Sequence, residues 1–256
     1  MIKYFSARAL LVALIMAVSF PCGAGQAAPD APPKTGERLV PAAAVAEASE
    51  EDKAHWLSFA ALYEVLHHDR TAGYNRLFCQ TCQNTGALLR SAINRDWKIQ
   101  DRDGALQRLD MFFAPDYHAE YETRYQAILR GEYPDGQTET NLEELQSLFD
   151  AYLQLQDPDI LHVDTVAAWE YMRCANLTKM CFNAGYITEE EAWGYLQQNA
   201  AMAEQRFDTW EDYFVSFMLA RTIFYRSSEL DMYVQAARRL FADPACAWYG
   251  NVIRTR

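Results

Sequence analysis

The stretch "FNAGYITEEEAWGYLQQ", Phe182 to Gln198, restricts the fold more than any other part of this sequence. An apolar helical run ends at Gly185, a residue suited to the left-handed conformation that closes a helix, and Tyr186 can fold back over the last turn. Thr188 and Glu191 then have the spacing of a capping box, and Ile187 can staple onto Ala192. Two helices joined by a turn of two to four residues pack as an antiparallel pair, so an αα-hairpin stands at the centre of the chain.

The rest of the body repeats the helical period. From Asp52 onward apolar residues recur at spacings of three and four, with no convincing run of apolar–polar alternation. A first helix is expected over about 52–68, with Trp56, Phe59, Ala60, Tyr63 and Leu66 on one face. A second is expected over about 74–95, carrying Phe78, Cys82, Leu88, Leu89 and Ile93. Asp101 caps a short helix bearing Leu106, Leu109 and Phe113.

Pro115 opens the next helix, which runs to about Arg130 before Gly131 and Pro134. Thr140 with Glu143 forms a capping box before a helix to about Gln156, stopped by Asp157-Pro158. Asp164 caps the first helix of the hairpin. Asp208 or Thr209 caps "WEDYFVSFMLARTIFYR", and a last helix with Met232, Val234, Ala237 and Leu240 ends at Pro244. The expectation is an all-α domain of about nine helices over residues 51–256, without internal repeats.

Ahead of this body the sequence reads as an export signal and a leader. Lys3 and Arg8 precede the apolar core "ALLVALIMAVSF", Ala9 to Phe20. That core is too short to span a bilayer, which takes about 20 residues. Small residues follow, with Ala24 or Ala27 as cleavage points, so residues 1–27 are expected to be a signal peptide. The alternative is an uncleaved N-terminal anchor. Residues 28–50 are Ala- and Pro-rich without an aromatic residue, too poor in apolar area to offset chain entropy, and read as a disordered leader. The expected location is the periplasm or the exterior.

Charge excludes some partners. The formal net charge is −12, and losing Lys3 and Arg8 leaves 21 basic against 35 acidic residues. Without a basic stripe, neither nucleic acid nor an anionic lipid surface is an expected partner. No span is expected once the signal is cleaved.

Motifs for chemistry are sparse. Cys79 and Cys82 form C-x-x-C in mid-helix, away from the helix N-terminus that would lower a thiol pKa. Cys174 and Cys181 lie on one helix about 10 Å apart at 1.5 Å per residue, too far for a disulfide with each other or for a shared four-cysteine zinc. Buried free thiols, one inter-helix disulfide, and a metal or redox role remain the alternatives. The adjacent imidazoles of "HHD", His67 to Asp69, diverge by about 100° on a helix and suit a helix C-terminus better than a metal. His55, His118 and His162 have no partner visible in sequence. No phosphate loop, nucleophile elbow or H-E-x-x-H occurs. Neither a metal nor a cofactor is expected.

Two arginines stand out instead. Trp169, Arg173, Leu177 and Met180 trace one face of the first hairpin helix, and Trp210, Phe214, Phe217, Arg221 and Phe224 one face of a later one. A guanidinium on an apolar face needs a counter-charge or carbonyl oxygens, because an unpaired buried charge costs several kcal/mol. Glu170, Glu190, Glu191 and Glu211 are the available carboxylates. Glu191 is the first choice of partner shared by Arg173 and Arg221, and Glu170 the second.

The segment from Trp169 to Tyr225 resembles a bacterial family known as domain of unknown function 1266. The resemblance lies in "WEYMR" (Trp169, Glu170, Arg173), "GYI" (Gly185 to Ile187), "EAW" (Glu191 to Trp193), "TWE" (Thr209 to Glu211) and "ARTIFY" (Arg221), and is strongest over 164–226. Upstream, "NRDWKIQDRDGALQRL" is similar to the family's Trp-x-Ile-x-Asp-Arg segment. Glu170, Thr209 and Ala220 stand where the family pattern has Asp, Ser and Gly. The resemblance implies an all-α fold and marks positions, without a reaction. The functional expectation is therefore an exported, non-enzymatic binding or interaction module for an unidentified protein or small anionic ligand. Glu170, Arg173, Glu191, Trp210 and Arg221 are its candidate structural or ligand-binding network. The alternative is a hydrolase or transferase with an acidic site at Glu170 and Glu191 beside Arg173 and Arg221.

Overall fold

The computed structural model describes residues 47–68, 76–78, 86–114, 117–225 and 229–253. Among them are ten α-helices, two short 3₁₀ turns and no strand beyond one isolated bridge between Thr209 and Val252. The all-α expectation holds. The signal peptide, nearly all of the leader, Cys79, Cys82 and Pro115 lie outside the described residues, as do the side chains of the His67–Asp69 motif.

The helices are α1 Glu50–Ser58, α2 Ala61–His68, α3 Gly86–Trp97, α4 Arg102–Met111, α5 Ala119–Leu129, α6 Gly136–Tyr152, α7 Ala168–Asn183, α8 Glu189–Glu204, α9 Trp210–Tyr225 and α10 Leu230–Ala242. The hairpin is α7 and α8, the most extensive packing in the molecule. Gly185 has φ +78°, the Tyr186 N–H donates to the Cys181 carbonyl and the Gly185 N–H to that of Phe182. That is the paired closure of a glycine-ended helix. The Thr188 side chain accepts from the Glu191 N–H at 3.2 Å, and Glu191 accepts from the Thr188 N–H at 3.0 Å, completing the capping box.

α9 is central. Trp210, Tyr213, Phe214, Phe217, Met218 and Leu219 are all fully buried, on every side of the helix, as in a helix enclosed by others. It packs on α7, α6 and α10, while α10 reaches α2 and α6, and α8 reaches α1.

Several boundaries differ from the sequence expectation. The single helix over 52–68 is two, broken at Phe59–Ala60. There the Ser58 carbonyl accepts the indole N–H of Trp248 at 3.1 Å, and the Phe59 carbonyl accepts the Tyr213 hydroxyl at 3.0 Å. Helix α3 begins at Gly86, with residues 76–78 non-helical and Leu88 exposed. Helix α6 is capped by Asp135, whose carboxyl accepts the Thr138 N–H at 2.8 Å. Thr140 and Glu143 are inside it, and it ends at Tyr152 before Asp157-Pro158 is reached.

At α7 the capping residue is Ala167, and Asp164 is not the cap. Instead the Ser216 hydroxyl on α9 accepts the Ala168 N–H at 3.2 Å, and Thr165 accepts that of Ala167 at 3.1 Å. Asp101 caps α4 as expected, and Thr209 serves α9 by accepting the Asp212 N–H at 3.0 Å. Met232, expected on the inner face of α10, is exposed.

Candidate functional site

Helix α7 enters the core with its first turn, and carries Trp169 and Glu170 in with it. Both are 2% exposed. One turn later Arg173 Nη1 donates to Glu170 Oε1 at 2.8 Å and Oε2 at 3.0 Å. The pairing is local because residues three apart are neighbours on a helix surface. Burial raises the pKa of the Glu170 carboxyl, and the Arg173 charge works against that rise.

Aromatic rings close around the guanidiniums. Arg173 Cζ lies 4.6 Å from the Trp97 ring centroid and 5.4 Å from that of Trp169. Arg221, reaching in from α9, lies 5.2 Å from Trp169 and 4.2 Å from Tyr233. The order Trp97, Arg173, Trp169, Arg221, Tyr233 is an alternation of ring and cation drawn from α3, α7, α9 and α10. Each contact contributes about 0.5–2 kcal/mol, more where water is excluded. Arg221 is 4% exposed and the Arg173 side chain 16%.

The five candidate residues do not form one site. Glu170, Arg173 and Arg221 meet at Trp169. Glu191, the first choice of partner for Arg173, belongs to Arg102 instead: the two guanidinium ends of Arg102 hold its carboxyl at 2.6 and 2.7 Å. Glu170 opens α7 and Glu191 opens the antiparallel α8, so about ten residues of helix, or roughly 15 Å, separate them along the hairpin. They cannot serve as one acid/base pair. Trp210 belongs to a third place, stacked on Trp248 at 5.4 Å and tilted against Phe59 at 4.8 Å.

The other two carboxylates proposed as counter-charges also lie apart. Glu190 is exposed. Glu211 is buried and accepts the Gln156 N–H at 2.5 Å, while the Asn251 side chain accepts the Glu211 N–H at 2.9 Å.

Sequence reasoning passed over a second polar cluster. His118 directly precedes α5, with the Phe112 backbone beside its ring. Its ring stands 5.8 Å from that of Tyr171. Burial, with the positive charges of Arg206 and Arg173, lowers the imidazole pKa to about 4. Glu122, one turn into α5, accepts from the Thr165 hydroxyl at 2.5 Å and the Val166 N–H at 3.3 Å. Burial raises its pKa. The exposed Arg206, just past α8, acts electrostatically on His118, Glu122 and Tyr171 alike. His118 has no motif around it, and Tyr171 and Arg206 come from 50 to 90 residues away, so no local signal marks the cluster.

Two more histidines, His55 and His162, have acidic partners in the fold. His55 Nε2 meets Glu204 at 2.9 Å and His162 Nε2 meets Asp212 at 2.8 Å. A groove of about 470 Å³ runs beside α1, lined by Glu50, Lys53, Leu77, Phe78, Phe182 and Trp193 among others. Among the described residues, no three His, Cys, Asp or Glu side chains are grouped to hold a metal ion. No helix there is long and apolar enough to cross a membrane. Cys174 and Cys181 are buried free thiols, and burial pushes both up, Cys181 to about 12.

A family model described as protein of unknown function (DUF1266) matches residues 92–252. No curated protein and no solved structure matches the chain.

Proposed function

The chain belongs to the DUF1266 family of proteins of unknown function, and we propose that it serves as an exported, non-enzymatic binding module. The observation that carries this reading is the closure of Glu170 and Arg173 between Trp97 and Trp169. A general acid or base has to come within about 3 Å of the proton it moves, directly or through one water. A carboxyl 2% exposed and held by its neighbouring guanidinium offers no such approach. The same arrangement gives a binding protein a stiff interior that fixes helix register.

Export is supported by the order of Lys3, Arg8, the apolar core and the small residues after it. The location that follows is periplasmic or secreted. The overall negative charge favours a protein partner or a small ligand over nucleic acid.

Two measurements test the reading. Intact-mass analysis of protein purified from its native host should place the mature start near residue 25 or 28, and a chain still beginning at Met1 argues against cleavage. A panel of small carboxylates, phosphates, esters and phosphoesters should include compounds that bind saturably and remain unchanged. Turnover of one of them, lost in a folded Glu170→Gln variant, would replace the module with a hydrolase or transferase.

A further inference from the structure

The groove of about 470 Å³ beside α1 has the size of a small-molecule site. Three helices and one short segment wall it. Glu50 and Lys53 come from the start of α1, Glu189 and Trp193 from the start of α8, and Phe182 from the end of α7. The segment supplies Arg76 and Phe78 on either side of Leu77. Leu77 is buried, and its carbonyl accepts the Asn183 side-chain N–H at 3.0 Å. The segment is thus pinned to the end of α7 and brings a guanidinium and an aromatic ring to the groove. The Phe78 ring is 46% exposed there.

The groove carries two acids and two bases, and one pair is already matched. Lys53 Nζ lies 2.9 Å from Glu50 Oε1 and 5.6 Å from the Trp193 ring centroid. Glu189 accepts the neutral Trp193 indole N–H at 3.1 Å and pairs with no cation among the described residues. Arg76 is exposed and makes no ion pair among the described residues. One carboxylate and one guanidinium are therefore left without an opposite charge, beside three aromatic rings.

We propose that this groove binds a small zwitterion with an apolar body, its carboxylate on Arg76, its ammonium on Glu189 and its apolar part against Phe78, Phe182 and Trp193. The assignment rests on the binding-module reading above and names the class of its ligand. A guanidinium fork matches a carboxylate, and the Glu189 carboxylate keeps acceptor sites beyond the one given to Trp193. A ligand with a single charge fits less well, because an anion leaves Glu189 unmatched and a cation leaves Arg76 unmatched. An apolar amino acid is the simplest molecule with this chemistry.

The test is calorimetric titration of the full chain at neutral pH and constant ionic strength with three probes. These are L-phenylalanine, phenylpropionate, which lacks the ammonium, and phenethylamine, which lacks the carboxylate. Phenylalanine should bind saturably, and each analogue about tenfold or more weaker. Arg76→Gln should abolish the preference for phenylalanine over phenethylamine, and Glu189→Gln its preference over phenylpropionate. The melting temperature should not move in either variant, because both side chains are exposed and the Glu189→Gln amide oxygen can still accept the Trp193 N–H. Either preference surviving its own variant would place the ligand elsewhere and overturn the site. An analogue that binds as tightly as phenylalanine would overturn the ligand class. Saturable binding of acetate or phosphate, with none of phenylalanine, would overturn the assignment and leave the module reading standing. Absence of saturable binding by all three probes would overturn it as well.

Discussion

Arg102 holds Glu191 through both ends of its guanidinium, across 89 residues of chain. The same carboxyl accepts the Thr188 N–H, so one acid ties the start of α4 to the turn of the hairpin. A capping residue here also joins two segments distant in sequence.

Removing Glu191 breaks both ties, whereas removing Arg102 leaves the cap. Glu191→Ala should lower stability by at least about 1 kcal/mol through the cap alone, and Arg102→Ala by less than Glu191→Ala. Denaturant melts of the two variants check this, and equal losses would show that the cap adds nothing.

Arg173 should couple to Glu170 and not to Glu191. Arg173→Ala leaves a buried carboxyl without its cation and should cost about 3–5 kcal/mol. A double-mutant cycle with Glu170 should give about 1 kcal/mol or more of coupling, and a cycle with Glu191 less than about 0.5 kcal/mol. The reverse ranking would mean that the hairpin is tied differently in solution.

Gly185 sits at φ +78°, and nothing lies within 4 Å of where a Cβ would be placed. Gly185→Ala should therefore cost about 1 kcal/mol from backbone strain alone, without a packing clash. Thermal melts measure it, and a stabilised variant would show that the turn tolerates another conformation.

His118 predicts an acid limb in the stability profile. Its pKa falls from 6.5 to about 4 on folding, so the unfolded chain binds the proton more tightly. Stability is then lost as pH drops from about 6.5 toward 4, by about 2–3 kcal/mol once its partial exposure is allowed for. Glu122, Glu170 and Glu211 have raised pKa values and act with the opposite sign in the acid range. The difference between wild type and His118→Gln, measured by denaturation from pH 7 to 4, isolates the imidazole. A difference independent of pH would remove it from the acid limb.

Cys174 and Cys181 should resist alkylation in the folded chain and react fully in denaturant, because the thiolate that reacts is disfavoured by burial. Peptide mapping after iodoacetamide treatment reads this directly. Rapid labelling of either residue at neutral pH would place it at an opening in the core.

The hairpin, the caps at Asp101 and Thr209 and the all-α class were legible because each depends on residues within four or five positions of one another. The two arginines were legible as inward-facing because their apolar neighbours follow the helical period. Their partners were not. Glu170 and Glu191 differ little in sequence context, and only the placement of α4 beside the hairpin turn gives Glu191 to Arg102. The break at Phe59–Ala60 was hidden for the same reason: Trp248 Nε1 and the Tyr213 hydroxyl, which take the two carbonyls, lie 190 and 154 residues further on. The His118 cluster combines both difficulties, since its groups come from three helix ends and no two of them share a motif.

The tie between Trp248 and Ser58 also bears on the order of events during synthesis. Trp248 stacks on Trp210 inside the core, and just beyond it the Ile253 N–H donates to the Asp208 carbonyl at 2.9 Å while the Trp210 N–H meets the Asn251 carbonyl at 3.3 Å. The aromatic centre of α9 is therefore incomplete until residues 248–253 have left the ribosome, by which time about 40 residues have been made after α9 began. Contacts of this span close late in folding. A nascent chain that has not yet supplied residues 248–253 leaves the aromatic centre around Trp210 open.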